Sequence, residues 1–296
     1  ILDQVTSIKA INLNISNGNI MTEQNGKLIS EDLAIVSSNG IGSIGNPIKT
    51  RISRIAAATA TGPVQIANDG LTSLTIDEIG LSIGNNNNTI SGISTTGSDI
   101  SIETSKDLTL NKPVRDNAIS EADRGTITLH ANEGSIIGAN IPEHIIGREL
   151  VAVAATGIGN NTIPLRTNIN SLNADVRMNG MIVTDEISDI ILSDINTYDG
   201  KIDINAGGNI EAVHIASATD APENTITLSN TSGNITVHTI TAGEDYSNIY
   251  LNSSGQVNND SDTLTRITGN HLFINTDNGI GIEGAEPYRD LNTDIA

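Results

Sequence analysis

Three histidines end short strand-like runs: Thr128-Leu129-His130, Ala212-Val213-His214 and Thr236-Val237-His238. Imidazoles repeated at one point of a repeating coil would form a ladder able to hold a metal. No carboxylate recurs at fixed spacing beside them, so they read as single polar positions at strand ends, facing solvent. His144 and His271 stand alone. The acids cluster twice, at Asp185, Glu186, Asp189 and Asp194 and at Asn258-Asn259-Asp260-Ser261-Asp262. Calcium takes several oxygen ligands converging from a loop. The second cluster has the atoms but lacks the Gly of an EF-hand loop. The nonapeptide Gly-Gly-x-Gly-x-Asp pattern is also missing. Both clusters read as solvated turns. No metal or other cofactor is expected, while the negative surface leaves weak calcium binding at corners open.

Paired carboxylates in a groove would suit glycan cleavage. With 35 Asp and Glu such pairs arise by chance, and one Phe and four Tyr supply few ring faces for sugars. The chain is therefore not expected to be an enzyme. Lys49, Arg166 and Arg289 share one repeat position, where a local ion pair or backbone cap is the expected role. Gly207-Gly208 reads as a corner and not as a phosphate-cradling loop.

The elements that carry these residues follow from composition and period. The 296 residues bear a net charge of −20, which lacks the basic footprint of a nucleic-acid binder. Without cysteine there are no disulfides, thiolate metal sites or thiol nucleophiles. No apolar run approaches the length of a membrane span. Hydrophobic residues, at 37%, are mainly Ile, Leu, Val and Ala, which argues against disorder and for a thin aliphatic core.

A short unit recurs: apolar-x-apolar, a few polar residues, Gly, x, apolar. It appears at Ile11–Ile20, Ile127–Ile136, Ile202–Ile210, Ile226–Ile235 and Ile249–Val257. Alternation with β-branched residues signals strands, and Gly and Asn between them supply corners. A period of 22–25 residues is a solenoid signature, in which no coil buries its apolar side alone. The prediction is a single right-handed parallel β-helix over residues 1–296, with roughly 13 coils. Gly84 to Gly92 and Asn111 to Gly125 break the period and are expected to be polar loops.

A longer repeat of about 120 residues lies above the coils. Gly40-Ile41-Gly42 leads to Pro47-Ile48-Lys49, and Gly157-Ile158-Gly159 leads to Pro164-Leu165-Arg166. Gly279-Ile280-Gly281 leads to Pro287-Tyr288-Arg289. The glycines and prolines of these three blocks are the expected structural corners. Leu33, Leu150 and Leu272 stand seven residues before the first Gly of each block.

The block Gly40 to Gly70, with Pro47, the basic Lys49, the run Ile55-Ala56-Ala57-Ala58-Thr59, Gly62 and Asn68, resembles repeats of filamentous-haemagglutinin-like large exoproteins of Gram-negative bacteria. The copy at Gly157 keeps Pro164, Leu165 and Arg166 and then drifts. The resemblance implies a right-handed parallel β-helix, secretion through an outer-membrane partner, and roles in adhesion, surface structure or toxin presentation. Ile1 to Gln4 carry no signal-peptide features, and the chain reads as a mature form or a segment of a longer protein. The expected function is a structural, adhesive shaft, extracellular or on the bacterial surface. Its expected partners are flanking coils end to end, a cell surface or a glycan. One alternative is a head-to-tail fibre subunit, favoured by ends that read as ordinary coil. Another is a carbohydrate-active β-helix.

Overall fold

The structure is a computed structural model that describes residues 2–83, 86–260, 265–281, 291 and 293–295. It is all-β, and its parallel sheets form a β-solenoid of about 12 turns, close to the number expected from the period. Among the described residues the one helical piece is a single 3-10 turn, Glu121–Asp123. No helix among them is long and apolar enough to cross a membrane. The chain divides into two compact units, Ile1–Ala154 and Ala155–Ala296.

In the first unit one parallel sheet runs through Val5–Thr6, Leu28–Ile29, Ile48–Arg51, Val64–Asn68, Ile100–Thr104, Thr126–Ala131 and Glu149–Ala154. A second stacks Ala10–Ile15, Asp32–Ser37 and Arg54–Thr59. Beyond Arg54–Thr59 each coil contributes two shorter pieces to this sheet. Leu74–Ile76 pairs with its first half and Ile93–Thr95 with its second. The split continues in Leu108–Leu110 with Val114–Asp116, and in Ser135–Gly138 with Ile145–Ile146.

The split has a cause. Between Ile76 and Ile93 the chain leaves the coil as an antiparallel hairpin, Glu78–Ile83 against Asn86–Ser91. This corrects the expected loop at Gly84 to Gly92. Ile79, Leu81 and Ile90 of the hairpin pack on Ala34 and Ala56, with Val36 and Ala58 beside them. Those four residues point away from the coil core, and their small side chains make room for a second layer. Arg54, bonded to Asp32 at 2.6 Å and 3.6 Å from Asp77, fastens the base. The second expected loop is also partly strand: Val114–Asp116 lies inside it.

In the second unit like residues stack on like. Ile182, Ile202, Ile226, Ile249 and Leu272 fall in one inward row, and Ile204, Leu228, Leu251 and Ile274 in the next. The facing sheet runs Ser171–Asn179, Ile190–Asp199, Ile210–Ser217 and Ile235–Thr241. Most inward Ile and Leu side chains are sealed from solvent, whereas Tyr198, Tyr246 and Phe273 are exposed. The core is thus aliphatic, each buried side chain contributing roughly 1.5–3 kcal/mol.

Each coil must turn without stranding backbone groups, and a hydroxyl solves this repeatedly. Thr59, Thr95 and Thr197 donate to the carbonyls of Gly62, Ser98 and Gly200, all at 2.8 Å. Ser253 and Thr276 do the same to Gln256 and Gly279, at 3.1 and 3.2 Å. Where the first unit's long turn follows Val114–Asp116, the Asp116 carboxylate takes its place. It accepts the amides of Gly97, Ser98, Ala118 and Gly125 at 2.8–2.9 Å. Burial opposes the charge on Asp116, but these amides hold its carboxyl below the usual range.

The long repeat has a local structural form. Leu33, Leu150 and Leu272 are each the second residue of a six-residue strand: Asp32–Ser37, Glu149–Ala154 and His271–Thr276. Gly42 and Gly159 then take left-handed backbone, φ 71° and 66°. A Cβ on Gly42 would lie 2.6 Å from the Gln65 carbonyl, and one on Gly159 2.1 Å from that of Val183. Gly45, also left-handed at φ 79°, has open space around its Cβ position. Gly159→Ala is therefore expected to cost about 3 kcal/mol or more, and Gly45→Ala about 1 kcal/mol. Urea unfolding of the two variants beside the parent chain measures the difference.

Candidate functional site

The second unit carries a shallow groove of about 580 Å³, walled by Asp189, Asn209, Glu211, Asn234, His238 and Asp260. Two features of the coils build it. The first is a ladder before the strands. Asp189 accepts the Asn209 amide at 2.6 Å and its side-chain Nδ2 at 3.1 Å. The Asn209 side-chain oxygen accepts the Asn234 amide at 2.9 Å, and that of Asn234 accepts the Gln256 amide at 2.8 Å. Each side chain caps the next coil's backbone at the same corner.

The second feature is a stacked irregularity. In adjacent strands Leu192 pairs with Ala212 and Ile195 with Ile215, leaving Ser193-Asp194 beside Val213-His214. His238-Thr239 lies at the same place in the next strand. His214 Nδ1 is 2.7 Å from Asp194 Oδ1. His238 Nε2 is 3.2 Å from Glu211 Oε1, and its Nδ1 is 2.8 Å from Asp260 Oδ2. Burial opposes the charge on Asp194, but hydrogen bonds from His214 and Asn196 hold it below the usual carboxylate range.

His214 and His238, expected as single polar positions facing solvent, are thus each paired with acids across coils. His130 also lies opposite Glu103 in its sheet. The three still form no ladder, since His214 is in register with Thr239 and not with His238. His144 is buried in the first unit, its Nε2 2.6 Å from the Ala139 carbonyl. Among the described residues no three His, Asp or Glu converge to hold a metal ion.

The expected solvated turns are also redistributed. Asp185 faces outward and accepts from Asn205 at 2.8 Å. Glu186 points into the core and is only 1% exposed, accepting from Ile169 N at 3.1 Å and Ser188 Oγ at 2.9 Å. Asn258 and Asn259 are buried; Ser261 and Asp262 lie outside the described residues. The scarce aromatics are more organised than their number suggested. Tyr250 and Phe273 stack on successive coils at 4.9 Å and 9°, with His271 at 6.1 Å from Phe273. Cross-coil register makes that pair, so a list of residue counts does not reveal it.

The repeat corners sit as follows. Gly40–Ile41 and Gly157–Ile158 are short strands. After Gly42, Ser43 and Asn46 close a turn on each other's backbone at 2.9 and 3.1 Å. After Gly159, the Asn160 side chain closes the equivalent turn on Thr162 N and Ile163 N, both at 2.9 Å. Pro47 and Pro164 directly precede the strands Ile48–Arg51 and Leu165–Asn168. Gly279 and Gly281 have φ 98° and 75°. Pro287 and Arg289 lie outside the described residues. Lys49 Nζ donates to the Gln24 carbonyl.

No family model matches this chain, and no curated protein or solved structure does so either.

Burial pushes the Glu186 carboxyl up to about 7, against the hydrogen bonds that favour its charge. The unfolded chain releases this proton near 4.5. Between those values the native state holds the extra proton, so this residue's contribution to stability falls as pH rises from about 4.5 to 7. The full loss amounts to roughly 3 kcal/mol. Glu186→Gln is expected to gain on the parent chain across this window and to remain ahead above it. Denaturant midpoints of both proteins at pH 5, 6, 7 and 8 test this.

Proposed function

We propose that this chain is a structural, adhesive shaft segment of an extracellular or cell-surface bacterial exoprotein, presenting a repetitive polar face for attachment. The observation that carries this reading is the outward row Asp185, Asn205, Ser229, Asn252 and Asn275, one residue per coil in strict register. Its members bond along the row, Asn205 to Asp185 at 2.8 Å and Asn252 to Ser229 at 3.2 Å. Such a row offers amides, a hydroxyl and a carboxylate at the coil spacing of about 4.8 Å. The resemblance of the Gly40 to Gly70 block to filamentous-haemagglutinin-like repeats supports the same role. The aliphatic inward rows support it too, because coils that stack like on like can be added without redesigning the core.

The function is geometric: the coils hold the polar rows at fixed spacing, and attachment uses many weak contacts. Beads coated with the chain are expected to attach to a glycan-bearing cell layer above the level of albumin-coated beads. Attachment at the albumin level overturns the adhesive reading. Electron microscopy of the purified chain, with and without millimolar calcium, is expected to show separate particles. Long fibres with an axial repeat would instead favour the filament-subunit alternative.

A further inference from the structure

We propose that His238 is a proton-operated latch tying together three successive coils of the second unit. Its place in the ladder gives it this role. Val237 pairs with Asn259 and Thr239 with Arg266, so the chain carries an insertion between those two partners, opposite His238. At that point the imidazole reaches the coils on both sides. One ring nitrogen reaches back to Glu211 at 3.2 Å, on the preceding coil, and the other forward to Asp260 at 2.8 Å, at the mouth of the insertion. Asp260 also accepts the Thr265 hydroxyl from the insertion's far end. The latch therefore secures both strands that flank the insertion, Val257–Asn259 and Arg266–Gly269.

Ionised carboxylates only accept hydrogen bonds, and a neutral imidazole has one N–H and one lone pair. Both arms are made together only when both ring nitrogens carry protons. On deprotonation one arm is lost, and a lone pair then faces a carboxylate. The bridge is complete only while the His238 ring carries both protons, and it loses an arm when one leaves. Among the described residues the neighbouring charged groups are these. From Ile210–Ser217 come Glu211 and His214, the latter held by Asp194 of Ile190–Asp199. Asp260 follows Val257–Asn259, and Arg266 stands opposite Thr239. Asp189 lines the same groove. Glu211, His238 and Asp260 all line that groove, so the proton changes both its charge and the anchoring of its wall.

Hydrogen exchange of the full chain, corrected for intrinsic rates, tests the proposal at pH 5.5, 6.5, 7.5 and 8.5. Peptides covering Val257–Asn259 and Arg266–Gly269 are expected to lose about fivefold in protection over this range. His238→Gln is expected to show the low value throughout. His214→Gln is expected to keep the parent profile. A flat parent profile, or an unchanged one in His238→Gln, overturns the latch. Nitrogen NMR of the imidazoles in the parent chain needs no variant. Two protonated ring nitrogens at His238 at pH 5.5 support the latch, and a single neutral tautomer across the whole range overturns it.

Discussion

The hydrogen-bonded ladder between parallel coils is the constraint from which the other features follow. It fixes the step from coil to coil at about 4.8 Å and sets each residue on the matching residue of the next coil. Inward positions then meet copies of themselves, which favours aliphatic side chains of similar size. Ile182, Ile202, Ile226 and Ile249 form one such row. Outward positions also meet copies of themselves, so charges of one sign would repel down a row. The row from Asp185 to Asn275 avoids this by placing a single acid among amides and a hydroxyl.

Corners are where the ladder fails, and there the buried polar residues collect. A strand-end Thr or Ser closes several turns onto the third carbonyl beyond. Asp116 and the Asp189 ladder do comparable work by accepting amides. Glu186 occupies the same inward row as Thr167, Asn230 and Ser253. It meets the requirement with a group that burial discourages from ionising, whereas Asp116 has enough amides to stay charged. Both carboxylates accept several hydrogen bonds, and the heavier burial penalty on Glu186 is what separates them.

The coil pattern was legible in the sequence because alternation and β-branched residues express the ladder directly. The Ile202, Ile226 and Ile249 units stack as their spacing implied. The hairpin is masked in the sequence because the alternation of Ile79, Leu81 and Ile83 runs into the polar Asn85 to Asn88 stretch, whose composition is that of a loop. The carboxylate partners of His214 and His238 were hidden for a different reason. Coils vary in length, so Glu211, His238 and Asp260 meet through register and an insertion that no fixed spacing encodes. Glu186 was misread because inward and outward residues near a corner look alike when both are polar.

Insertions show what the ladder tolerates. The hairpin leaves the coil between Ile76 and Ile93, yet both flanks continue to pair with Arg54–Thr59. The chain also carries an insertion between Asn259 and Arg266, and both flanks pair with Ile235–Thr241. In each case side chains bridge the gap. In the first, Arg54 bridges Asp32 and Asp77 beside an apolar layer. In the second, His238 bridges Glu211 and Asp260. An arginine keeps its charge at all ordinary pH values, whereas a histidine does not. The same architectural problem has therefore been solved once by a permanent clasp and once by a titratable one, and only the second can respond to its surroundings.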